Sequence, residues 1–155
     1  REIRVAKDKT PYKSHLGIWM SPGCKGSNRA GYYIHLGRNE SFIAGGFYSP
    51  EAVDLKKVRK EIAFFYDDLE EIVEEKSFKT IYGNLDTTNS LKNAPKDYEK
   101  DHPAVEFLKL KSFTATQKIN FTDAVNPNFV KETVAKLILL KPLNDFLNRA
   151  LSTED

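Results

Sequence analysis

The chain has 155 residues, 40% of them hydrophobic and 30% charged, with a formal net charge of +2. That length and balance fit one globular domain with its own core and exclude a disordered chain. No apolar run approaches the roughly 20 residues that cross a bilayer, no secretory pattern opens the chain, and a lone cysteine cannot form an internal disulfide, so a cytoplasmic protein is expected. The first residue is Arg1 rather than Met, which reads as a fragment of a longer protein.

Charge is unevenly spread. Residues 1–39 carry eight Lys/Arg (Arg1, Arg4, Lys7, Lys9, Lys13, Lys25, Arg29, Arg38) against Glu2 and Asp8, and the remainder is net acidic. A basic start followed by an acidic remainder suggests a local anion-attracting surface. Pairing of those charges elsewhere in the fold is an equal alternative.

The first 48 residues read as β structure. Ile3 and Val5 alternate with polar neighbours ahead of a turn at residues 7–11. Leu16 to Met20 forms a short strand ended by Ser21-Pro22-Gly23. Tyr32, Ile34 and Leu36 share one face of the next strand, with Tyr33 and His35 on the other. Gly37-Arg38-Asn39-Glu40 suits a hairpin into a strand over residues 41–48, inside which Gly45-Gly46 suggests a bulge or a close backbone approach.

Helices follow. Ser49-Pro50-Glu51 offers a hydroxyl cap, a proline at the first helical position and an early acid, with Leu55, Val58, Ile62 and Phe65 as the apolar stripe. Asp67-Asp68-Leu69-Glu70 resembles a capping box, so a break is expected near Tyr66 and a restart through Glu75. A brief helix over Ser77–Tyr82 ends at Gly83. Residues 84–101 form a polar surface excursion, and Asp101 caps a short helix reaching about Leu108. Phe113 to Gln117 is a further strand with Phe113 and Ala115 inward. A last helix starts at Asn126-Pro127 with Val130, Val134, Leu137, Ile138, Phe146, Leu147 and Leu151 as its stripe and a kink at Pro142. The expected fold class is α+β: one mainly antiparallel sheet packed against several helices, including a long C-terminal helix.

Familiar chemical motifs are missing. Gly23-Cys24-Lys25-Gly26-Ser27 lacks the spacing of a phosphate-binding loop, no dinucleotide fingerprint follows a strand, and His15, His35, His102 and Cys24 lack zinc-site spacing. No metal site is therefore expected, and no cofactor is indicated. Cys24 beside Lys25 reads better as a chance thiol than as a nucleophile. The acid pairs from Asp67 to Glu75 read as a solvated helix face.

The basic segment is the most suggestive stretch. If the first strands are neighbours, Arg4, Lys9, Lys13 and His15 would hold an anionic group, Arg as a bidentate fork and Lys as a point charge. His35 and Tyr33 are the candidates for proton transfer. Lys25 and Arg29 in the glycine-rich 23–31 loop are further cations, and that loop offers backbone N–H groups.

The run from Arg1-Glu2-Ile3-Arg4-Val5 through Asp8-Lys9-Thr10-Pro11-Tyr12-Lys13-Ser14-His15 resembles the hallmark of a family of bacterial and fungal conserved proteins, domain of unknown function 2461. Ala30-Gly31-Tyr32-Tyr33-Ile34-His35, Ala44-Gly45-Gly46, Asp101-His102-Pro103 and Lys141-Pro142-Leu143-Asn144-Asp145-Phe146-Leu147 match in order. Glu2 and Val5 depart from it conservatively, and Cys24 stands where the family more often has glycine. The resemblance implies a single domain over 1–155 that lacks an N-terminal helical region, and it brings no reaction, cofactor or partner.

Three functions are consistent with these residues. A domain binding a small phosphate- or carboxylate-bearing ligand, or an enzyme acting on one, ranks first, and a protein–protein interaction domain second. A nucleic-acid module stacking bases on Tyr12, Trp19 and Tyr33 ranks last, because a pI of about 8.5 is modest for that role. Oligomeric state is not legible.

Overall fold

The computed structural model describes residues 13–23 and 27–154. Ile3, Val5, Arg4, Lys9, Tyr12, Cys24 and Lys25 lie outside the described residues, so the expectations attached to them stay untested.

Three strands form a meander: β1 (His15–Met20), β2 (Gly31–Gly37) and β3 (Phe42–Phe47). Four helices follow: α1 (Ala52–Phe64), α2 (Tyr66–Glu74), α3 (Lys76–Tyr82) and α4 (Val105–Leu108). Then come β4 (Phe113–Lys118), a 3₁₀ turn (Phe121–Val125), α5 (Phe129–Ile138) and α6 (Lys141–Leu151). The sheet order is β1-β2-β3-β4 and every pairing is antiparallel, so the fold is α+β with a single sheet.

Side chains directly opposite in such a ladder point to the same side, so the register sorts the sheet into two faces. Ile18, Ile34, Ile43 and Gln117 make one row of the helix-covered face, with Met20, Tyr32, Gly45 and Ala115 as the next. On the other face the rows are Gly17, His35, Phe42, Lys118 and Trp19, Tyr33, Ala44, Thr116. The alternation of Tyr32, Ile34 and Leu36 against Tyr33 and His35 is therefore as the sequence predicts.

The helices gather over β3 and β4. Helices α5 and α6 rest on β3, α3 rests on β4, and α1 and α2 flank α6. Ile43, Phe113 and Ala115 from the sheet meet Val58, Ile62, Leu143 and Leu147 in one buried core. A side chain at Gly45 would collide with Leu140, so its absence lets the α5–α6 junction lie directly on the sheet. The β1 end of this face is less covered: Leu16, Ile18 and Met20 are 40–55% exposed.

Polar side chains tie the layers together. On α6, Asn148 receives the Ala30 N–H on Oδ1 at 2.8 Å, and Asn144 donates to the Gly31 carbonyl at 3.0 Å, fixing the start of β2. Arg149 donates to the buried Glu61 at 2.6 Å while its guanidinium lies over the Phe65 and Phe146 rings, clamping α1 and α2 to α6.

Several boundaries differ from the sequence reading, each for a physical reason. Ser49 does not cap α1: it sits at φ 45° and its N–H donates to Ser112 Oγ, so it turns the corner out of β3 and the helix begins at Ala52. The break before α2 falls at Phe65, but Asp67 and Asp68 form no capping box. Asp101 does not cap α4, which starts only at Val105. The C-terminal stretch is two helices rather than one kinked helix. Pro142 occupies the first turn of α6, where its missing N–H costs nothing, and the helix interior it would otherwise disrupt ends four residues earlier at Ile138. The predicted stripe divides accordingly. Leu137, Phe146 and Leu147 are buried, whereas Val130, Val134 and Ile138 face solvent.

Candidate functional site

Because every helix named above packs on one side, the opposite face of the sheet carries the site. Tyr33 and His35 stand two residues apart on β2 and meet: the Tyr33 hydroxyl lies 3.0 Å from His35 Nδ1, a contact either group can donate. Gly17 across from His35 leaves the space into which the Tyr33 phenol leans; a Cβ there would lie 2.6 Å from the hydroxyl oxygen. His15 stacks on His35 at 4.4 Å between centroids, and His35 stacks on Phe42 at 4.8 Å. Three rings thus form a file across β1, β2 and β3.

Beside this file lies a cavity of about 670 Å³. Trp19, Tyr33 and Phe42 wall one side, and Ala44 and Gly46 form the floor. The floor is low because Gly46 adopts φ 113°, a left-handed conformation, and presses its Cα against the backbone of β4, where a side chain would overlap the Phe113 carbonyl. The close approach expected of Gly45-Gly46 is therefore made by β4.

The opposing wall comes from β4 and from residues 86–91, which run beside its N-terminal end. The Asp86 N–H donates to the Thr114 carbonyl at 2.8 Å, and Lys111 N–H donates to the Asn89 carbonyl at 2.9 Å. Thr114 and Thr116 both donate their hydroxyl protons to Asp86 Oδ2, at 2.8 and 2.7 Å. Ser112, 4% exposed, accepts from Ser49 N–H and from Asn89 Nδ2. Lys118 closes the histidine end of this wall, with Glu40 near it on the rim, and its ammonium has no ion-pair partner among the described residues.

Chemically the face is graded. Lys13, His15, His35 and Lys118 lie toward one end, aromatic rings fill the middle, and an acceptor-rich bank of Asp86, Asn89 and Ser112 lies at the other. Of the residues predicted for the site, Tyr33, His35 and His15 are brought together, and Lys13 stands exposed just before β1. Arg29 is not part of it: its guanidinium donates to the Asn148 carbonyl and to Ser152 on α6. His102 is structural, since its Nδ1 accepts the Ala104 N–H. The acids on α2 are all exposed, Asp68 beside Arg149 and Glu74 paired with Lys79.

Sequence reasoning missed Phe42, Asp86, Asn89, Ser112 and Lys118, and named Trp19 only as a ring for stacking bases. The alternation of Thr114, Thr116 and Lys118 around the inward Ala115 was a usable signal for β4. Nothing local marks Asp86, which reaches the sheet only through tertiary structure.

Among the described residues there is no group of three or more His, Cys, Asp or Glu able to hold a metal ion, and no helix long and apolar enough to cross a membrane. A family model, "Conserved hypothetical protein (DUF2461)", matches residues 1–146. The chain therefore belongs to that conserved DUF2461 family, whose function is unknown. No curated protein and no solved structure matches it.

Proposed function

We propose that the chain binds a small anionic metabolite on the open face of its sheet. The ligand's phosphate or carboxylate sits at the Lys118, His15 and His35 end, and its body lies against Trp19, Tyr33 and Phe42. The observation that carries this reading is the cavity of about 670 Å³ with aromatic rings on one wall and polar groups on the other. Binding sites for small molecules combine this range of volume with a largely apolar lining and a few convergent polar groups. Lys13, exposed ahead of β1, adds a second ammonium at the same end, and the Tyr33–His35 pair is where a proton would be exchanged if the ligand is also a substrate. A cytoplasmic metabolite fits a chain with one cysteine.

A thermal-shift screen of phosphates, sugar phosphates, nucleotides and carboxylates tests this. A ligand at about 100 times its Kd contributes roughly 2.7 kcal/mol, or about 5–10 °C in midpoint for a chain of this size. The expected result is a shift with one class that is lost in Trp19→Ala and weakened in Lys118→Ala. A panel that moves neither wild type nor variants refutes the proposal.

A protein–protein interaction domain is the second reading. It draws on Val130, Val134 and Ile138, one helical face of α5 left 47–71% exposed. Nucleic acid is disfavoured, since a pI of about 8.5 is modest for binding a phosphate backbone.

A further inference from the structure

The polar bank of the cavity carries more information than a generic rim. Asp86 is held by three hydrogen bonds, one from its own N–H and two into Oδ2, and both threonine protons are spent on that single oxygen. Among the described residues its Oδ1 has no donor. Asn89 is fixed in the same way: Nδ2 donates to Ser112 Oγ and its backbone oxygen accepts from Lys111, while Oδ1 has no donor among the described residues. Ser112 Oγ already accepts two N–H groups, leaving its own proton for a partner beyond the Ser49 hydroxyl at 3.5 Å. Two pre-oriented acceptors on one cavity wall select a partner that offers donors. An ionised carboxylate or an unsubstituted aromatic acid offers none, and inorganic phosphate offers only its own P–OH.

The spacing narrows the class. Thr116 and Lys118 are two residues apart on β4 and share a face, which separates them by about 7 Å, and Thr114 lies about 7 Å further on. A group anchored at Lys118 and a donor reaching Asp86 beside Thr114 and Thr116 are therefore one six-membered ring plus a short arm apart. Trp19, half exposed across the cavity, presents a flat surface on which the C–H face of such a ring can lie.

We propose that the ligand is a monosaccharide bearing one anionic group, a sugar phosphate or sugar acid, with ring hydroxyls donating to Asp86 Oδ1 and Asn89 Oδ1. This rests on the small-molecule reading above. Asp86 and Asn89 act as specificity determinants and Lys118 as the anion anchor.

The test is isothermal titration of wild type, Asp86→Asn, Asn89→Ala and Trp19→Ala with glucose 6-phosphate, glucuronate, inorganic phosphate and 4-nitrophenyl phosphate. The last carries a ring and a phosphate but no hydroxyl. Circular dichroism confirms that each variant is folded; Asp86→Asn keeps an oxygen for the threonines, and Asn89→Ala removes the other acceptor should Asp86→Asn loosen the wall. The expected pattern is that one hydroxylated anion binds wild type at least 10-fold more tightly than 4-nitrophenyl phosphate. Each acceptor variant should lose 10-fold or more of that preference, with inorganic phosphate binding not weakened. Glucose 6-phosphate against glucuronate decides between phosphate and carboxylate. Equal binding of 4-nitrophenyl phosphate, or a sugar preference that survives both acceptor variants, overturns this inference while leaving the anion site standing. Absence of binding by all four probes, or binding indifferent to Trp19→Ala, overturns the underlying reading as well.

Discussion

Replacing Gly46 with alanine perturbs the floor of the cavity and the β3–β4 ladder at one point. Two costs are expected. The backbone at φ 113° is one that an L side chain rarely adopts, which costs about 1–3 kcal/mol. The new methyl would overlap the Phe113 carbonyl oxygen and lie 2.9 Å from Thr114 Cα, both backbone atoms that cannot rotate away. β4 must then withdraw at the Gly46–Thr114 pair, sacrificing one or two ladder hydrogen bonds at about 1 kcal/mol each. The total is about 2–5 kcal/mol. Gly83 is the internal control. It also has positive φ, 76°, but nothing lies within 4 Å of its missing Cβ, so Gly83→Ala should cost only the backbone part, about 1–3 kcal/mol. Urea unfolding followed by far-UV circular dichroism measures both. With an unchanged m-value, the Gly46→Ala midpoint should fall well below that of Gly83→Ala. If the two midpoints coincide, or their order is reversed, the close approach of β3 to β4 is not what demands glycine at position 46.

Further expectations follow from other contacts. Trp19→Ala should leave the unfolding free energy within about 0.5 kcal/mol of wild type, because a side chain 52% exposed contributes little to the core, while ligand binding is lost. Tyr82→Phe removes the hydroxyl that donates to the Lys136 carbonyl at 2.7 Å and should cost about 1 kcal/mol by the same urea assay. Arg149→Leu strands the buried Glu61 carboxylate and should cost about 1–3 kcal/mol, more than a typical surface ion pair. Glu75 caps α3 through the Phe78 N–H, and that bond holds its carboxyl below the usual range. A lowered folded-state pKa gives stability above the unfolded value that is lost as pH falls through the folded one. Glu75→Gln should therefore melt earlier than wild type at neutral pH, and the difference should vanish in acid.

Much of the fold was legible because its signals are local. Alternation separated the two faces of β2, and Phe113 and Ala115 marked the inward side of β4. Gly83 marked the end of α3, where the chain does turn with positive φ. The misreadings were places where distant groups compete for the same backbone. Ser49 has the chemistry of a helix cap, but Ser112, far along the chain, captures its N–H. Val130, Val134 and Ile138 keep helical spacing, but the chain breaks at Leu139-Leu140 and turns α5 so that only its Thr133–Leu137 edge is buried. The site divides along the same line. Tyr33 and His35 were visible because a two-residue step puts both on one side of a strand. Asp86 and Asn89 were hidden because their roles depend on a segment that lies beside β4 only in the folded chain.

The sheet order also bears on how the molecule assembles. β1, β2 and β3 are joined by short connections and can zip as a local meander, whereas β4 arrives only after α1 to α4 have been passed. Pairing β4 with β3 closes a long loop, and the entropy of that closure must be met before its contacts give any return. The aromatic wall belongs to the early part and the acceptor bank to the late part. The cavity therefore comes into existence only with the pairing that closes the long loop between β3 and β4, and a ligand bridging its two walls would add its binding energy to that pairing.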